Sequence, residues 1–354
     1  INVVTIDDDE SNIIITEIDL LTSEDGDQGF FEIRLTSKPD SPVTVGFSSS
    51  NTNEGTVMEE ITFDPSNWSD PQLVYATGVD DFPPVTDGPQ GYEINVINIF
   101  SLDPNYGTID PNAFDSVEFT NQDNDSPAVI VKVMNDDYTT SEDLESVIIG
   151  FKLTSQPLSW VDIPVSIGSN SDEVGLADNV VRIEKENWDD FSLNQVVITG
   201  IDDSLIDGDQ TFEFITGSPA SLDLFYGGLN ADDVADINLV NQDNDFPFLN
   251  ISEPEILTED KNSTSISISL GNKPTGKVKI VFDLTDVTEV SINKLEIEFD
   301  EFNWNISQEL ILFGVDDPFL DGDIQSNLIL KIHSDTEDIN YLNMQSVSIE
   351  LVTL

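Results

Sequence analysis

Apolar and polar residues alternate with a period of two over much of the chain. Phe31, Ile33 and Leu35 alternate with charged residues, and a similar alternation recurs at 161–167 and 278–282. A period of two is typical of strands that bury one face, whereas an amphipathic helix repeats about every 3.6 residues. No stretch of a dozen residues keeps the helical period. The pattern therefore predicts an all-β protein with almost no helix.

Short motifs recur at long, nearly constant intervals. An Asn-Trp pair ends at Trp68, Trp188 and Trp304, so its occurrences lie 120 and 116 residues apart. The motif Asn-Gln-Asp-Asn-Asp occurs at 121–125 and again at 241–245. Intervals of this size exceed those of short solenoid repeats and suit a whole domain. The repetition therefore predicts one domain present in several copies.

We expect three domains, which we name the first copy (10–125), the second copy (126–245) and the third copy (246–354). Residues 1–9 resemble the tail of a preceding copy, and the third copy stops before its closing Asp motif. Seven antiparallel strands per copy would form an immunoglobulin-like sandwich. Three tandem immunoglobulin-like antiparallel β-sandwich domains with short, proline-containing linkers predict an elongated rod. In the first copy the predicted strands are 13–18, 29–37, 43–49, 56–63, 72–78, 91–99 and 115–121.

The composition is strongly acidic. The 354 residues include 70 Asp and Glu against 12 Lys and Arg, giving a net charge of −58. This balance argues against binding to nucleic acid or to anionic membranes, because both need basic patches. Hydrophobic residues make up 38% of the chain, which is enough for real cores despite the charge. There is no cysteine and no apolar run of 18 residues, so we expect neither disulfides nor insertion into a membrane.

Many acids recur at matching places in the copies. They lie in the loops after the first, third and fifth predicted strands and after the last strand. In an up-and-down sandwich these four places share one end, so we expect the acids to converge there. In the first copy they are Glu24, Glu54, Asp80, Asp81, Asp87, Asp123 and Asp125. The second copy offers Glu142, Glu173, Asp202, Asp203, Asp207, Asp243 and Asp245, and the third offers Glu259, Glu289, Asp316, Asp317 and Asp321. Two acids of the N-terminal tail, Asp7 and Asp9, align with the closing Asp pair of the first copy.

Such a cluster predicts a bound cation. Two unit charges about 4 Å apart at an effective dielectric near 20 repel by about 4 kcal/mol. Carboxylate oxygens without neighbouring His or Cys select Ca²⁺ or Mg²⁺ over zinc or copper. The plainer alternative is that Asp-Gly and Asp-Asp only form turns. We favour calcium, and sites of this acidic kind suit an extracellular medium with millimolar Ca²⁺.

The aromatic residues suggest mainly structural roles. Large aromatics dominate sandwich cores, so the three recurring Trp residues are expected to pack there. Trp160 does not recur and is the better candidate for an exposed contact with a ligand. A recurring Tyr is expected to form a structural corner at Tyr106, Tyr226 and Tyr341.

The recurring acids resemble those of the Calx-β domain, the calcium-binding sandwich of sodium/calcium exchangers. Calx-β domains also occur in tandem in large bacterial surface proteins and adhesins. The loop after the fifth strand departs from the family, because Asp-Gly replaces its usual acidic run, and the number of ions stays open. Asn-Gln-Asp-Asn-Asp also resembles the cadherin linker, although the other cadherin motifs are missing. The Calx-β resemblance implies calcium at the matching positions of the second copy and at Glu24, Glu54, Asp80, Asp81, Asp123 and Asp125.

We expect a structural rather than a catalytic protein. The single His333 has no recurring partner, Cys is absent, and no Gly-rich phosphate loop occurs. The leading hypothesis is a calcium-stiffened stalk segment of an extracellular adhesin or filament, at the cell surface or secreted. Its partners would be calcium ions and the neighbouring repeats. The alternatives are a binding module for a glycan or protein ligand, and a filament subunit whose N-terminal strand 2–6 completes the last domain of a neighbouring chain.

Overall fold

The computed structural model describes residues 3–4, 6, 8–258, 262–316 and 322–354. In these ranges the chain consists of β-strands, short 3-10 turns and one α-helix of four residues. The strands form antiparallel sheets with a few parallel contacts. The predicted all-β fold of antiparallel sheets is confirmed. No helix within the described ranges is long and apolar enough to cross a membrane.

The first copy contains two sheets that enclose one hydrophobic cluster. The sheets have the strand orders β1-β3-β7-β5 and β2-β9-β8-β4-β6. Alternate side chains of both sheets, including Phe31, Phe63 and Phe119, are fully buried between them. The strands are β1 Ile13–Asp19, β2 Leu21–Ser23, β3 Gln28–Leu35, β4 Val43–Ser49, β5 Gly55–Val57, β6 Glu60–Phe63, β7 Gln72–Gly78, β8 Gln90–Ser101 and β9 Val117–Gln122.

The second copy repeats this arrangement. Its sheets have the orders β10-β12-β16-β14 and β11-β19-β17-β13-β15, and β18 also pairs with β13. Phe151 and Phe214 lie in the enclosed cluster. The strands are β10 Val129–Val133, β11 Thr139–Ser141, β12 Ser146–Leu153, β13 Val161–Ile167, β14 Val174–Leu176, β15 Val180–Ile183, β16 Gln195–Gly200, β17 Gln210–Thr216, β18 Ala220–Ser221 and β19 Ile237–Gln242.

The third copy has two sheets of four strands, in the orders β20-β21-β25-β23 and β24-β22-β26-β27. Phe299 and Leu310 lie in its enclosed cluster. The helix α1, Ile339–Leu342, precedes the last strand. The strands are β20 Leu249–Ile251, β21 Ser263–Leu270, β22 Val278–Leu284, β23 Val290–Ile292, β24 Glu296–Phe299, β25 Gln308–Gly314, β26 Ile324–Ile332 and β27 Val347–Thr353.

Two features of the first copy differ from the strand prediction. The predicted strand 56–63 is two strands, because the chain crosses from one sheet to the other at Met58 and Glu59. As a result β5 pairs with β7 in one sheet, while β6 pairs with β4 in the other. The short strand β2 was not predicted, and it pairs in parallel with β9.

The recurring aromatics have the predicted structural roles. Each recurring Trp packs, half-buried, against the hydrophobic cluster of its own copy. Each recurring Tyr is fully buried, and its hydroxyl ties two loops together. These hydroxyls donate to backbone carbonyls at matching positions: Tyr106 to Ser37 at 2.6 Å, Tyr226 to Ser155 at 2.8 Å and Tyr341 to Asn272 at 2.7 Å.

Candidate metal centres

The parallel pairing of β2 with β9 brings together acids that are far apart in sequence. Glu24 directly follows β2, and Asp123 and Asp125 directly follow β9. The backbone N–H of Glu24 donates to the carbonyl of Gln122 at 3.0 Å, which extends the pairing by one residue. The backbone N–H of Asn124, 100 residues away in sequence, donates to Glu24 Oε2 at 3.0 Å. Glu24 therefore lies against the closing Asp motif of its own copy.

The loop between β7 and β8, residues 79–89, brings further acids to the same place. We call it the acidic loop of the first copy. The loop follows Gly78, the last residue of β7. A Cβ at this position would lie only 2.0 Å from the carbonyl oxygen of Ser23, so only glycine lets β7 approach β2 this closely. Asp123 Oδ2 accepts the backbone N–H groups of Asp87 at 3.0 Å and of Gly88 at 2.6 Å. These bonds hold the acidic loop beside the closing Asp motif.

Two groups of three carboxylates result in the first copy, and Glu24 belongs to both. One group is Glu24, Asp81 and Asp87, and the other is Glu24, Asp123 and Asp125. Each residue offers one oxygen, and the three oxygens of a group lie within 4.8 Å of one another. Glu24 is only 5% exposed. Asp87 Oδ1 and Asp125 Oδ2 are buried without a hydrogen-bond partner, so both are free to bind a cation.

Nothing in the described protein neutralises this negative charge. The ion pairs found among the described residues involve none of these carboxylates. Burial raises the pKa of Glu24 to about 7, with a contribution from the charges of Asp123 and Asp81 and against the hydrogen bond from the Asn124 backbone. Burial and neighbouring carboxylates also raise the pKa of Asp87 and Asp125. The ionised cluster is therefore costly, and a divalent cation would remove that cost.

Two predicted residues lie at the margin of these groups. Burial raises the pKa of Glu54, and the charges of Asp81 and Asp87 add to the effect, while a hydrogen bond to the Asn121 side chain opposes it. Asp80 is exposed and close enough to Asp125 to raise the pKa of that carboxyl. Within the described residues neither Glu54 nor Asp80 joins a group of three.

The second copy repeats the group formed with the closing Asp motif. One oxygen each of Glu142, Asp243 and Asp245 lies within 4.8 Å of the other two. Glu142 is 2% exposed, and the backbone N–H of Asn244 donates to its Oε2 at 3.1 Å. Burial raises the pKa of Glu142 to about 7 and that of Asp245 to about 6. Asp245 Oδ2 is buried without a hydrogen-bond partner.

The other predicted acids of the second copy surround this group. Asp202, Asp203 and Asp207 are exposed, and Glu173 is half-buried. Burial raises the pKa of Glu173, and the charges of Asp207 and Asp203 raise it further. In the described structure these residues form no separate group of three.

Two of the five predicted acids of the third copy lie within the described residues. Glu289 is buried and Asp316 is exposed. No group of three carboxylates involves either residue within the described ranges. The remaining predicted residues of this site lie outside the described residues: Glu259, Asp317 and Asp321.

Of the two N-terminal acids, only Asp9 lies within the described residues, and it joins none of these groups. Asp7 lies outside the described residues, and Asp9 is exposed beside Asn105, in the loop after β8. In the third copy β27 already pairs with β26 from Leu330 to Ile324. This position beside β26 is therefore occupied within the chain itself, and the filament alternative stays a prediction.

An asparagine that the sequence did not single out organises the first site. Asn121 is buried; its Oδ1 accepts the Thr22 hydroxyl at 3.0 Å, and its Nδ2 donates to the Val79 carbonyl at 3.0 Å. It therefore joins β2, β9 and the acidic loop. Asn241 accepts the Thr140 hydroxyl at 2.8 Å in the second copy. The sequence signal that could have revealed both residues is that each is the first residue of an Asn-Gln-Asp-Asn-Asp motif.

The acidic loop of the first copy also contacts the second copy. The hydroxyls of Thr86 and Ser155 lie 2.7 Å apart and are buried. The Pro84 carbonyl accepts the backbone N–H of Gln156 at 2.7 Å. The loop that supplies Asp87 to the candidate site is thus part of the joint between the two copies.

The matching loop of the second copy, residues 201–209, contacts the third copy. The Ser204 carbonyl accepts the backbone N–H of Lys273 at 2.7 Å, and Asn340 Nδ2 donates to the Ile206 carbonyl at 2.8 Å. The Ile206 side chain packs against the hydrophobic cluster of the third copy. Both joints therefore use the loop that follows the fifth predicted strand.

One face of Trp160, the candidate for a ligand contact, is covered by the Arg182 side chain. The guanidinium carbon of Arg182 lies 4.6 Å from the centre of the Trp160 ring. Arg182 also makes a two-pronged ion pair with Asp162, with both distances at 2.7 Å. Trp160 is half-buried, and one of its faces is covered by this arrangement. A ligand contact at Trp160 would therefore use the face that Arg182 leaves uncovered, and it stays a prediction.

Paired antiparallel sheets and buried carboxylate groups define an all-β protein whose sites suit a hard divalent cation. No protein-family model and no curated protein matches the chain. Among solved structures it is similar to the calcium binding domain CBD12 of CALX1.1, with 11% identity and a TM-score of 0.30, covering 57% of this chain and 79% of that chain. It is also similar to CBD12 from CALX1.2, with 12% identity and a TM-score of 0.23, covering 56% of this chain and 77% of that chain.

A further similarity is to domains 4–9 of the surface layer protein SbsC, with 11% identity and a TM-score of 0.24. It covers 98% of this chain and 48% of that chain, so the chain spans about half of that SbsC segment. TM-scores this low carry no argument about function. The case for a metal therefore depends on the carboxylate geometry of the chain itself.

Proposed function

We propose that the chain is a calcium-binding structural segment of an extracellular protein, a cell-surface or secreted adhesin or filament. In this proposal calcium stiffens the joints between successive copies into a rod. The observation that carries it is the almost fully buried Glu24, which shares two carboxylate groups and has no basic partner among the described residues. Burial of an uncompensated charge is strongly unfavourable, so these groups favour a bound cation.

The donor set supports calcium among the divalent cations. All candidate ligands are carboxylate oxygens, and the described groups contain no His or Cys. Ca²⁺ accepts about six to eight oxygens in irregular geometry, whereas Mg²⁺ demands a near-ideal octahedron. Acids that come from three separate parts of a fold suit the more tolerant ion. Asp87 Oδ1 and Asp125 Oδ2, which lack hydrogen-bond partners, would bind it directly.

The stiffening follows from the position of the acidic loops. Each loop carries predicted ligands and also forms hydrogen bonds with the next copy, as at Thr86 and Ser155. An ion that fixes the loop would therefore also fix the surface on which the next copy docks. Repeated sites along a chain suit a rod better than a single active centre, so we propose no catalytic role.

Thermal unfolding with and without calcium tests this proposal. A ligand at a thousand times its Kd adds about 4 kcal/mol to the stability of the folded state. We expect millimolar Ca²⁺ to raise the Tm by several degrees over the Tm in EDTA, and equimolar Mg²⁺ to raise it much less. Equal Tm values in Ca²⁺ and EDTA would refute calcium binding, and equal effects of both ions would refute the preference for calcium.

A further inference from the structure

One side chain of the third copy binds directly to a candidate ligand of the second copy. Asn272 Nδ2 donates to Asp245 Oδ1 at 2.6 Å and to the Phe246 carbonyl at 3.2 Å. Asn272 is itself rigidly held, because its N–H donates to the Tyr341 hydroxyl at 3.1 Å and its carbonyl accepts from that hydroxyl at 2.7 Å. At 9% exposure it is buried in the joint between the two copies.

This bond determines which oxygen Asp245 can offer to an ion. Oδ1 is occupied by the Asn272 amide, whereas Oδ2 is buried and has no hydrogen-bond partner. The backbone N–H of Asp245 donates to Asp243 Oδ1 at 2.7 Å, which fixes the two acids relative to each other. Groups that hydrogen-bond to a metal ligand orient it and strengthen metal binding. The amide thus fixes the carboxylate with one oxygen left for the cation.

The first copy has no equivalent arrangement. At the position that matches Asn272 the second copy has Ser155, whose hydroxyl lies 2.7 Å from that of Thr86 and 3.0 Å from that of Tyr226. Neither of these partners is a carboxylate. Asp125, which matches Asp245, is hydrogen-bonded by the backbone N–H of Val85 from its own copy. The first site is therefore held by the first copy, and the second site is held in part by the third copy.

We propose that Asn272 is a positioning residue for the calcium site at Glu142, Asp243 and Asp245, so that the third copy completes the site of the second. This inference depends on the proposed function. Binding free energies are reciprocal, so an ion at this site would also strengthen the contact between the second and third copies. The joint between the first and second copies would depend on calcium only through its acidic loop.

Calcium titration calorimetry on the full chain tests this role. The background variant E24Q/D123N removes the first site, so that the heat of calcium binding reports on the second site. Added to this background, Asn272→Ser is expected to weaken calcium binding about 10-fold, the lower end of the effect of removing such a group. Serine keeps the Tyr341 corner, because the backbone N–H and carbonyl of Ser155 bond to the Tyr226 hydroxyl as those of Asn272 bond to Tyr341. Unchanged unfolding of the calcium-free variant, followed by Trp fluorescence, would show that the third copy remains folded.

The matched control is Ser155→Ala in an E142Q/D243N background, which reports on the first site. We expect its calcium affinity to fall less than that of Asn272→Ser, because Ser155 contacts no carboxylate and reaches the first site only through the acidic loop. An unchanged second-site affinity in Asn272→Ser, or equal losses in the two experiments, would overturn the positioning role. If the wild-type chain shows no calcium binding that E24Q/E142Q removes, the proposed function itself fails. The two failures are thus distinguishable.

Discussion

At the scale of single residues, Glu24 and Glu142 are placed where an ionised acid is unstable alone. Each is almost fully buried, accepts one backbone N–H, and lies against other carboxylates. One hydrogen bond stabilises the charge far less than full hydration does. The same residue that would bind a cation therefore weakens the metal-free fold. Removing this charge should therefore stabilise the calcium-free protein and destabilise the calcium-loaded protein, whereas an ordinary packing defect would destabilise both.

Glu24→Gln should have opposite effects with and without calcium. In calcium-free protein the neutral amide removes a buried charge, so we expect the free energy of unfolding to rise by about 2 kcal/mol. In saturating calcium the loss of a ligand should lower the Tm below that of the wild type. The control Glu60→Gln, on an exposed strand position, should change neither. A lower Tm in both conditions would indicate a packing defect and contradict the ligand role.

The stability of calcium-free protein should fall as the pH rises. The pKa of Glu24 and of Glu142 is about 7 in the folded protein, against an ordinary value of 4.5. The folded state therefore binds more protons than the unfolded state between these values, and stability decreases from pH 4.5 to pH 7. We expect a higher Tm at pH 5.5 than at pH 7.5, measured by calorimetry.

The double variant E24Q/E142Q is the control for this pH dependence. It lacks both titrating groups, so the difference in Tm between pH 5.5 and pH 7.5 should shrink. Saturating calcium should also suppress the difference in the wild type, because the ion keeps the carboxylates ionised at both pH values. An identical pH profile in the wild type and the double variant would contradict the assignment.

At the scale of elements, the site depends on a three-residue strand and a glycine. The strand β2 pairs in parallel with β9 and so delivers Glu24 to the closing Asp motif. Gly78 ends β7 against β2, and Gly200 makes the same approach to Ser141 in the second copy, where a Cβ would lie 2.0 Å from the carbonyl oxygen. These close approaches place the acidic loops beside the buried glutamates.

Gly78→Ala should damage both the fold and the first site. A Cβ 2.0 Å from a backbone oxygen forces β2 and β7 apart, and overpacking of this kind costs about 2 kcal/mol. We expect a lower Tm without calcium and weaker calcium binding at the first site only. Gly91→Ala, in β8, is the matched control, because its Cβ would lie 4.0 Å from its nearest neighbour. Equal effects of the two substitutions would contradict this role of Gly78.

The sequence was informative where a signal was long or repeated. Alternation over five or more residues predicted strands such as β3 and β13, because burial of one face leaves that pattern. The recurrence of acids pointed to the five that the structure brings into two groups in the first copy, but also to Glu54 and Asp80, which join neither group. The strand β2 is too short to show alternation, and the crossing at Met58 leaves the pattern of apolar residues unbroken. Asn272 could not be found, because its role depends on how two copies dock.

At the scale of the whole molecule, the joints and the charge act together. The net charge is −58, and repulsion within so acidic a chain favours separated copies. Hydrogen bonds such as that between Gln156 and Pro84 hold the first joint, and Ile206 packs into the second. Cations at the acidic groups would lower the repulsion where the copies meet. Calcium should therefore affect the shape of the chain as well as its stability.

Small-angle X-ray scattering should detect this change in shape. We expect EDTA to reduce the maximum dimension of the particle and to broaden its distance distribution, because flexible joints let the copies fold back. The calcium-loaded protein should scatter as a stiff rod. The variant E24Q/E142Q should scatter alike in both conditions. A wild-type maximum dimension that does not respond to EDTA would contradict calcium-dependent stiffening, even if calcium binds.

Calcium titration calorimetry on the wild type and on E24Q/E142Q tests the central claim most directly. If the buried carboxylate groups bind calcium, the wild type will show saturable binding with a Kd below about 1 mM, the upper end of the range of extracellular calcium-binding modules. The double variant will lose most of this heat while remaining folded. Absence of saturable binding in the wild type, or identical isotherms for the two proteins, would contradict the claim.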